Sequence, residues 1–287
     1  MFDLSRLRPR TPRRLEQLVQ LLRPRTLQAL EVARRHCRRA SWRAVDLLFP
    51  PACALCERLV LEAREGPGDV ERPLLCTACR EAFHYRTPRV CPQCAAPLAP
   101  LSRRPNCPEC RKRKLPFAGA LALGEYRGRL REAVLRTKKS AHESLTMQLG
   151  EHLANCVAQQ SWAEEVDLVM PLPSHWWRRW SRGTSGPELL AMALARRLQR
   201  PLETRLLRCV RRTRKQGMLK PREREQNVRG AFEAPRPHQV ARQRILLVDD
   251  VMTTGATLRE AAQTLRRAGA NRVFVAVLAR GTGESAR

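Results

Sequence analysis

Ile245-Leu246-Leu247-Val248-Asp249-Asp250-Val251-Met252-Thr253-Thr254-Gly255-Ala256-Thr257 opens with four apolar residues behind the polar Arg242-Gln243-Arg244. A continuous apolar run of this kind reads as a strand buried on both faces of a parallel sheet. Two carboxylates end the run and a Thr/Gly turn follows. Leu258, Ala261, Ala262 and Leu265 then recur at helical spacing up to Gly269, which suits a C-cap. The stretch predicts strand, acidic turn and helix at the centre of an α/β domain. The N–H groups of Thr253, Thr254, Gly255, Ala256 and Thr257 would lie at a helix N-terminus, where unpaired donors and the macrodipole favour a phosphate. Side chains alternate along a strand, so Asp249 and Asp250 reach one ligand only if the second already stands in the turn. A sugar diol, or Mg²⁺ held among hydroxyls, suits such a pair. The simpler account is an ordinary βα turn whose Asp residues cap the helix. The length of the whole pattern favours a phosphate-ribose site over it.

Val248 to Thr257 resembles the phosphoribosyl pyrophosphate (PRPP) motif of type I phosphoribosyltransferases. The resemblance implies a parallel sheet flanked by helices, Asp249 and Asp250 as the catalytic acidic pair on the ribose hydroxyls, and a turn from Thr253 to Thr257 around the 5′-phosphate. It also implies Mg²⁺ bound with PRPP. The wider chain resembles the ComF family of competence-associated proteins, in which a cysteine-rich N-terminal module precedes such a domain.

Eight of the 11 cysteines fall in four Cys-x-x-Cys pairs: Cys53/Cys56, Cys76/Cys79, Cys91/Cys94 and Cys107/Cys110. That spacing places two thiolates on one metal, and eight thiolates make two tetrahedral Cys₄ sites, with Zn²⁺ the metal expected. A segment with so few large apolar residues would not fold without them. From the residues alone, consecutive pairing gives tandem ribbons and interleaved pairing gives a cross-brace. The ComF resemblance implies the tandem form, a double zinc ribbon with two structural zinc ions. Iron–sulfur ligation would need clustered spacings that the chain lacks. Cys37, Cys156 and Cys209 stand outside the pairs and read as small buried hydrophobes.

At 287 residues and 43% hydrophobic content the chain has room for one sizeable core plus a small module. The expected domains are a basic arm over 1–41, the ribbons over 42–114 and the transferase-like domain over 115–287. A net charge of +28 implies anionic partners, whether nucleic acid, phosphorylated metabolite or anionic membrane. The family name adds single-stranded DNA and the proteins of DNA uptake. No apolar run approaches the length that crosses a bilayer, and the paired thiols suit a reducing cytosol, so a cytoplasmic location is expected.

Val166 to Met170 predicts a second buried strand, leaving through Pro171-Leu172-Pro173-Ser174-His175. In the family this is the pyrophosphate loop, which brings Pro171, Ser174, His175, Arg178 and Arg179 to PRPP. Lys215 lies in a segment similar to the family's mobile basic loop, which closes over pyrophosphate. Arg182-Gly183-Thr184-Ser185-Gly186 departs from the relatives' Arg-Gly-Phe-Asn-Gln, losing an aromatic and two amides, and this bears on acceptor recognition and on activity itself. Two functions follow: a phosphoribosyltransferase that releases pyrophosphate, or a PRPP sensor or DNA-binding accessory that turns nothing over.

Overall fold

The computed structural model describes residues 50–60, 75–83, 89–112, 115–173, 185–211, 213 and 221–281. The basic arm and the residues Ser174, His175, Arg178, Arg179 and Lys215 lie outside these. The chain divides into two units, Met1–Pro51 with Leu59–Pro73 and Ala52–Arg58 with Leu74–Arg287. The first is described at only four residues, and the architecture below belongs to the second.

In chain order the elements are α1 (Thr77–Glu81), α2 (Pro108–Lys112), β1 (Gly119–Glu125), α3 (Gly128–Arg136), α4 (Glu143–Ala158), β2 (Leu168–Pro171) and α5 (Gly186–Leu198). There follow β3 (Arg208–Cys209), α6 (Pro221–Val228), β4 (Phe232–Glu233), α7 (Pro237–Val240), β5 (Arg244–Met252), α8 (Ala256–Arg267) and β6 (Arg272–Arg280). Four strands form one parallel sheet in the order β1-β6-β5-β2, while β3 and β4 pair antiparallel apart from it. The two central strands, β6 and β5, are the longest of the described strands at nine residues each, and every residue from Val273 to Ala279 is buried. That is the signature of a sheet covered on both faces.

The coverings differ. On one face, Leu258, Ala261, Ala262 and Leu265 of α8 join a core with Ile245, Leu247, Val273, Val275 and Val277. On the other, α4 and α5 pack so closely that a Cβ on Gly150 would lie 2.9 Å from the Ala193 Cβ. Trp162 stacks on Phe274 there, with ring centroids 4.7 Å apart. The helices that follow the neighbouring strands β5 and β2 thus leave to opposite faces. Such a switch point opens a crevice at the carboxyl ends of the strands.

Ser185 has a local role that the family comparison of the 182–186 segment did not suggest. Its Oγ accepts from Glu188 N at 3.3 Å, and the Glu188 carboxylate accepts from Ser185 N at 3.4 Å. This capping box, with Pro187 in the first turn, fixes where α5 begins. Among the described residues no helix is long and apolar enough to cross a membrane.

The sheet is pinned at its amino end by Asp167, which accepts from Arg244 N at 2.8 Å, Nε at 3.0 Å and Nη2 at 2.7 Å. Hydrogen bonding to that guanidinium holds the Asp167 carboxyl below the usual carboxylate range. A carboxyl depressed by folding stabilises above its unfolded pKa, and the benefit fades as pH falls through the folded value. Asp167→Asn is therefore expected to melt below wild type at neutral pH, with the gap narrowing below about pH 4. Melting curves across pH check this, and a gap independent of pH would contradict it.

Candidate functional site

The cysteines gather in sequence order. Cys53, Cys56, Cys76 and Cys79 form one group and Cys91, Cys94, Cys107 and Cys110 the other, with the four sulfurs of each within 4.8 Å of one another. Cys56 Sγ to Cys76 Sγ, and Cys94 Sγ to Cys107 Sγ, are both 3.6 Å. Tetrahedral zinc with Zn–S bonds of about 2.3 Å sets its sulfurs roughly 3.8 Å apart, so both groups fit that ion. The pairing is tandem, as the family resemblance implied. Each first knuckle turns back through a left-handed residue, Glu57 or Ala95, whose N–H donates to the Cys53 or Cys91 carbonyl. Cys107 N also donates to Cys91 Sγ at 3.4 Å. A hydrogen bond from the Cys94 thiol, opposed by burial and aided by the N–H groups of Cys107, Gln93 and Cys94, draws Cys91 down to about 4. A thiolate is thus ready for the metal. Among the described residues neither Cys156 nor Cys209 belongs to a metal-binding group, and both are half-buried where full burial was expected, while Cys37 lies outside the described residues.

The second ribbon does not stand apart from the sheet. Cys91, Cys94, Ala95, Leu98, Cys107 and Cys110 share a core with Phe117, Ala120 and Ala122. Ala120 N, on the edge strand β1, donates to the Pro92 carbonyl at 3.0 Å. The ribbon thereby covers a sheet edge that would otherwise present unpaired donors.

At the other end of β5 the expectation needs a correction. The strand does not stop at the carboxylates but runs on to Met252, because Val251 pairs with Ala279 and Met252 with Arg280. Asp249 pairs with Val277 and Asp250 follows it within the strand, yet the two carboxylates lie close enough to interact with each other and with Lys138, so both can face one ligand without the second standing in the turn. Asp249 Oδ1 accepts from Asp250 N at 2.9 Å, and Lys138 Nζ lies 3.7 Å from Asp250 Oδ2. Burial, with the Asp250 carboxylate beside it, pushes Asp249 well above the usual carboxylate range, and Lys138 pulls the other way. Neither carboxylate caps the helix. The N-cap of α8 is Gly255, at φ 72° and with no side-chain cap, so the simpler account of the acidic pair loses its physical basis.

The turn itself is half-exposed at Thr253, Thr254 and Gly255 and buried at Ala256, with Thr257 in the first turn of α8. Among the described residues the N–H groups of Thr253, Thr254 and Gly255 donate to no backbone carbonyl. Three successive donors without a backbone acceptor among the described residues, beside two carboxylates at the carboxyl end of a central strand, make an arrangement that can take an anionic, hydroxyl-bearing group. Pro171 ends β2 next to it, paired with Val248, and Leu172 N donates to the Val248 carbonyl at 2.7 Å.

Three residues at the turn were not found by sequence reasoning. Lys138 arrives from beyond α3. Arg259 donates to the Thr254 carbonyl at 3.1 Å and to Glu225 of α6 at 2.9 Å. Arg280 donates to the Met252 carbonyl at 2.9 Å. In a chain with 55 Lys and Arg, position in sequence does not distinguish these from solvated neighbours.

Residues 184–286 match the phosphoribosyl transferase domain family, and residues 44–111 match the double zinc ribbon domain family. DNA utilization protein YhgH of Salmonella typhimurium is 30% identical over 237 residues, covering 82% of this chain and 99% of that one. Competence protein F of Haemophilus influenzae is 29% identical over 213 residues, covering 72% and 90%. The solved purine phosphoribosyltransferase of Pyrococcus horikoshii is matched at 21% identity and a TM-score of 0.31, over 46% of this chain and 73% of that one. With two Cys₄ ribbons packed on a parallel sheet whose central strand ends in an acidic pair and a Thr/Gly turn, the chain belongs to the ComF family, a phosphoribosyltransferase-like domain behind a double zinc ribbon.

Proposed function

We propose that this chain binds PRPP with Mg²⁺ at the carboxyl end of β5 and transfers the phosphoribosyl group to an acceptor. The observation that carries the reading is the run of three loop N–H groups without a backbone acceptor among the described residues, set beside Asp249 and Asp250. Those donors and the Thr hydroxyls would hold the 5′-phosphate, and the carboxylates would accept from the ribose hydroxyls. Ser174, His175, Arg178, Arg179 and Lys215 would receive the pyrophosphate. Mg²⁺ supplies charge neutralisation on the leaving group. The bond from the anomeric carbon to the pyrophosphate oxygen breaks as the bond to the acceptor nitrogen forms, and the acceptor gives up a proton. Protein groups act here by positioning and by charge, without a covalent enzyme intermediate.

A second reading has its own support. The relatives are named for competence and DNA utilization, and a charge of +28 suits single-stranded DNA. In that reading PRPP is a signal that the fold binds without turnover. Eight metal-binding thiols fit a reducing compartment such as the cytoplasm.

A pyrophosphate-release assay with PRPP, Mg²⁺ and a panel of nucleobases and amines separates the two. Release that depends on one acceptor is the expected result. PRPP binding with no release over the whole panel would favour sensing. Absence of PRPP binding would contradict both.

A further inference from the structure

Arg280, the last residue of β6, reaches two parts of the molecule at once. Its Nε donates to the Cys94 carbonyl of the second ribbon at 3.0 Å, and its Nη1 donates to the carbonyls of Met252, Thr253 and Gly281. Arg259 holds the next carbonyl in line, that of Thr254. Three consecutive carbonyls of the turn are therefore engaged from behind by two guanidinium groups. Among the described residues no peptide bond is cis, and in a trans peptide the carbonyl of one residue and the N–H of the next point opposite ways. Fixing the carbonyls of Met252, Thr253 and Thr254 thus turns the N–H groups of Thr253, Thr254 and Gly255 outward, and these are the donors left without a backbone acceptor. Gly281 leaves little slack, since a Cβ there would meet the Thr253 side chain at 3.0 Å.

We infer that Arg280 is a positioning residue of the phosphate turn and that through it the second zinc ribbon is part of the binding site, a reading that rests on the phosphate-ribose assignment above. Cys94 is both a member of the metal cluster and the owner of the carbonyl that holds Nε. Its backbone is fixed only while the knuckle is closed on the ion, so ribbon order and turn geometry are linked. Linkage is reciprocal, so a ligand in the turn must in turn steady the ribbon. The first ribbon has no such connection to the turn among the described residues.

The test uses the full chain loaded with zinc, titrated separately with ribose 5-phosphate and with inorganic pyrophosphate. Arg280→Lys keeps the charge but loses the fork that spans the two sites. It is expected to weaken ribose 5-phosphate binding by about tenfold while changing pyrophosphate binding by less than about twofold. A general loss of structure would move both together. In wild-type protein, saturating ribose 5-phosphate is expected to slow release of one of the two zinc ions to a chromophoric chelator and leave the other unchanged. That measurement stands even where the variant folds poorly. Unchanged ribose 5-phosphate affinity in Arg280→Lys, or zinc release indifferent to the ligand in wild type, overturns this inference and leaves the site assignment standing. Wild-type protein that binds neither ligand overturns the assignment, and the inference with it.

Discussion

Alanine at position 124 is expected to lower the melting temperature by on the order of 10 °C. Gly124 lies in β1, beside Ala279 of β6, and a Cβ built there would sit 1.7 Å from the backbone carbonyl oxygen of Phe83 and 3.2 Å from Leu130 Cδ2. Phe83 is fully buried just after α1 of the first ribbon, its ring 6.4 Å from that of His152 on α4. A backbone oxygen cannot rotate away as a flexible side chain can, so either β1 or the ribbon must shift as a body. Overpacking of this kind costs about 3 kcal/mol, and each kcal/mol moves a domain of this size by about 2–4 °C. Gly128→Ala is the comparison, because Gly128 has φ 52° and nothing within 4 Å of its added Cβ. Its cost is backbone strain alone, about 1 kcal/mol. Thermal unfolding followed by circular dichroism checks both. A Gly124→Ala curve that overlays wild type would show that the first ribbon does not lie against β1.

The two ribbons therefore meet β1 at two points, Gly124 for the first and Ala120 for the second. The second ribbon covers part of the sheet edge, where parallel sheets are open to unwanted pairing, and the first packs against β1 where Gly124 has no side chain. This gives the ribbons a structural reason to remain beside the transferase-like domain.

Much of this was legible in the chain. The apolar run at 245–248 announced a strand buried on both faces because a doubly covered parallel strand has no polar alternation to hide it. The four Cys-x-x-Cys pairs announced two metal sites because ligand spacing is local. The part that Ser185 plays in starting α5 was not legible, because it depends on the reciprocal bond with Glu188. The extension of β5 past Asp250 was hidden for a physical reason. Carboxylates and a Thr/Gly turn read as a strand end, and only pairing with Ala279 and Arg280 carries the ladder further. Lys138, Arg259 and Arg280 were invisible as individuals, since their role comes from carbonyls and a carboxylate brought to them by the fold. The sequence also pointed to Ser174, His175, Arg178, Arg179 and Lys215, which fall outside the described residues.

The second large effect is on ligand affinity. Asp250→Asn keeps the shape of the side chain but loses its charge and one acceptor, and hydrogen bonds to charged groups are worth roughly 1.5 to 3 kcal/mol. PRPP affinity should fall ten- to a hundredfold or so. Asp249→Asn should give the smaller loss of the two, because burial and the neighbouring carboxylate already hold Asp249 towards its protonated, neutral form. Neither change should disturb folding or zinc, as the partners of the pair among the described residues are Lys138, 3.7 Å from Asp250, and the Asp250 N–H that donates to Asp249, beside the interaction of the two carboxylates with each other. A capping role would predict near silence on substitution by Asn, but the N-cap of α8 is Gly255. Calorimetric titration of PRPP with Mg²⁺ into wild type, Asp249→Asn and Asp250→Asn decides the matter. The expected result is wild-type binding that weakens in both variants, most in Asp250→Asn, at unchanged zinc content and melting temperature. Equal affinity in all three proteins, or no binding by wild type, would contradict the assignment of this turn as a phosphate-ribose site.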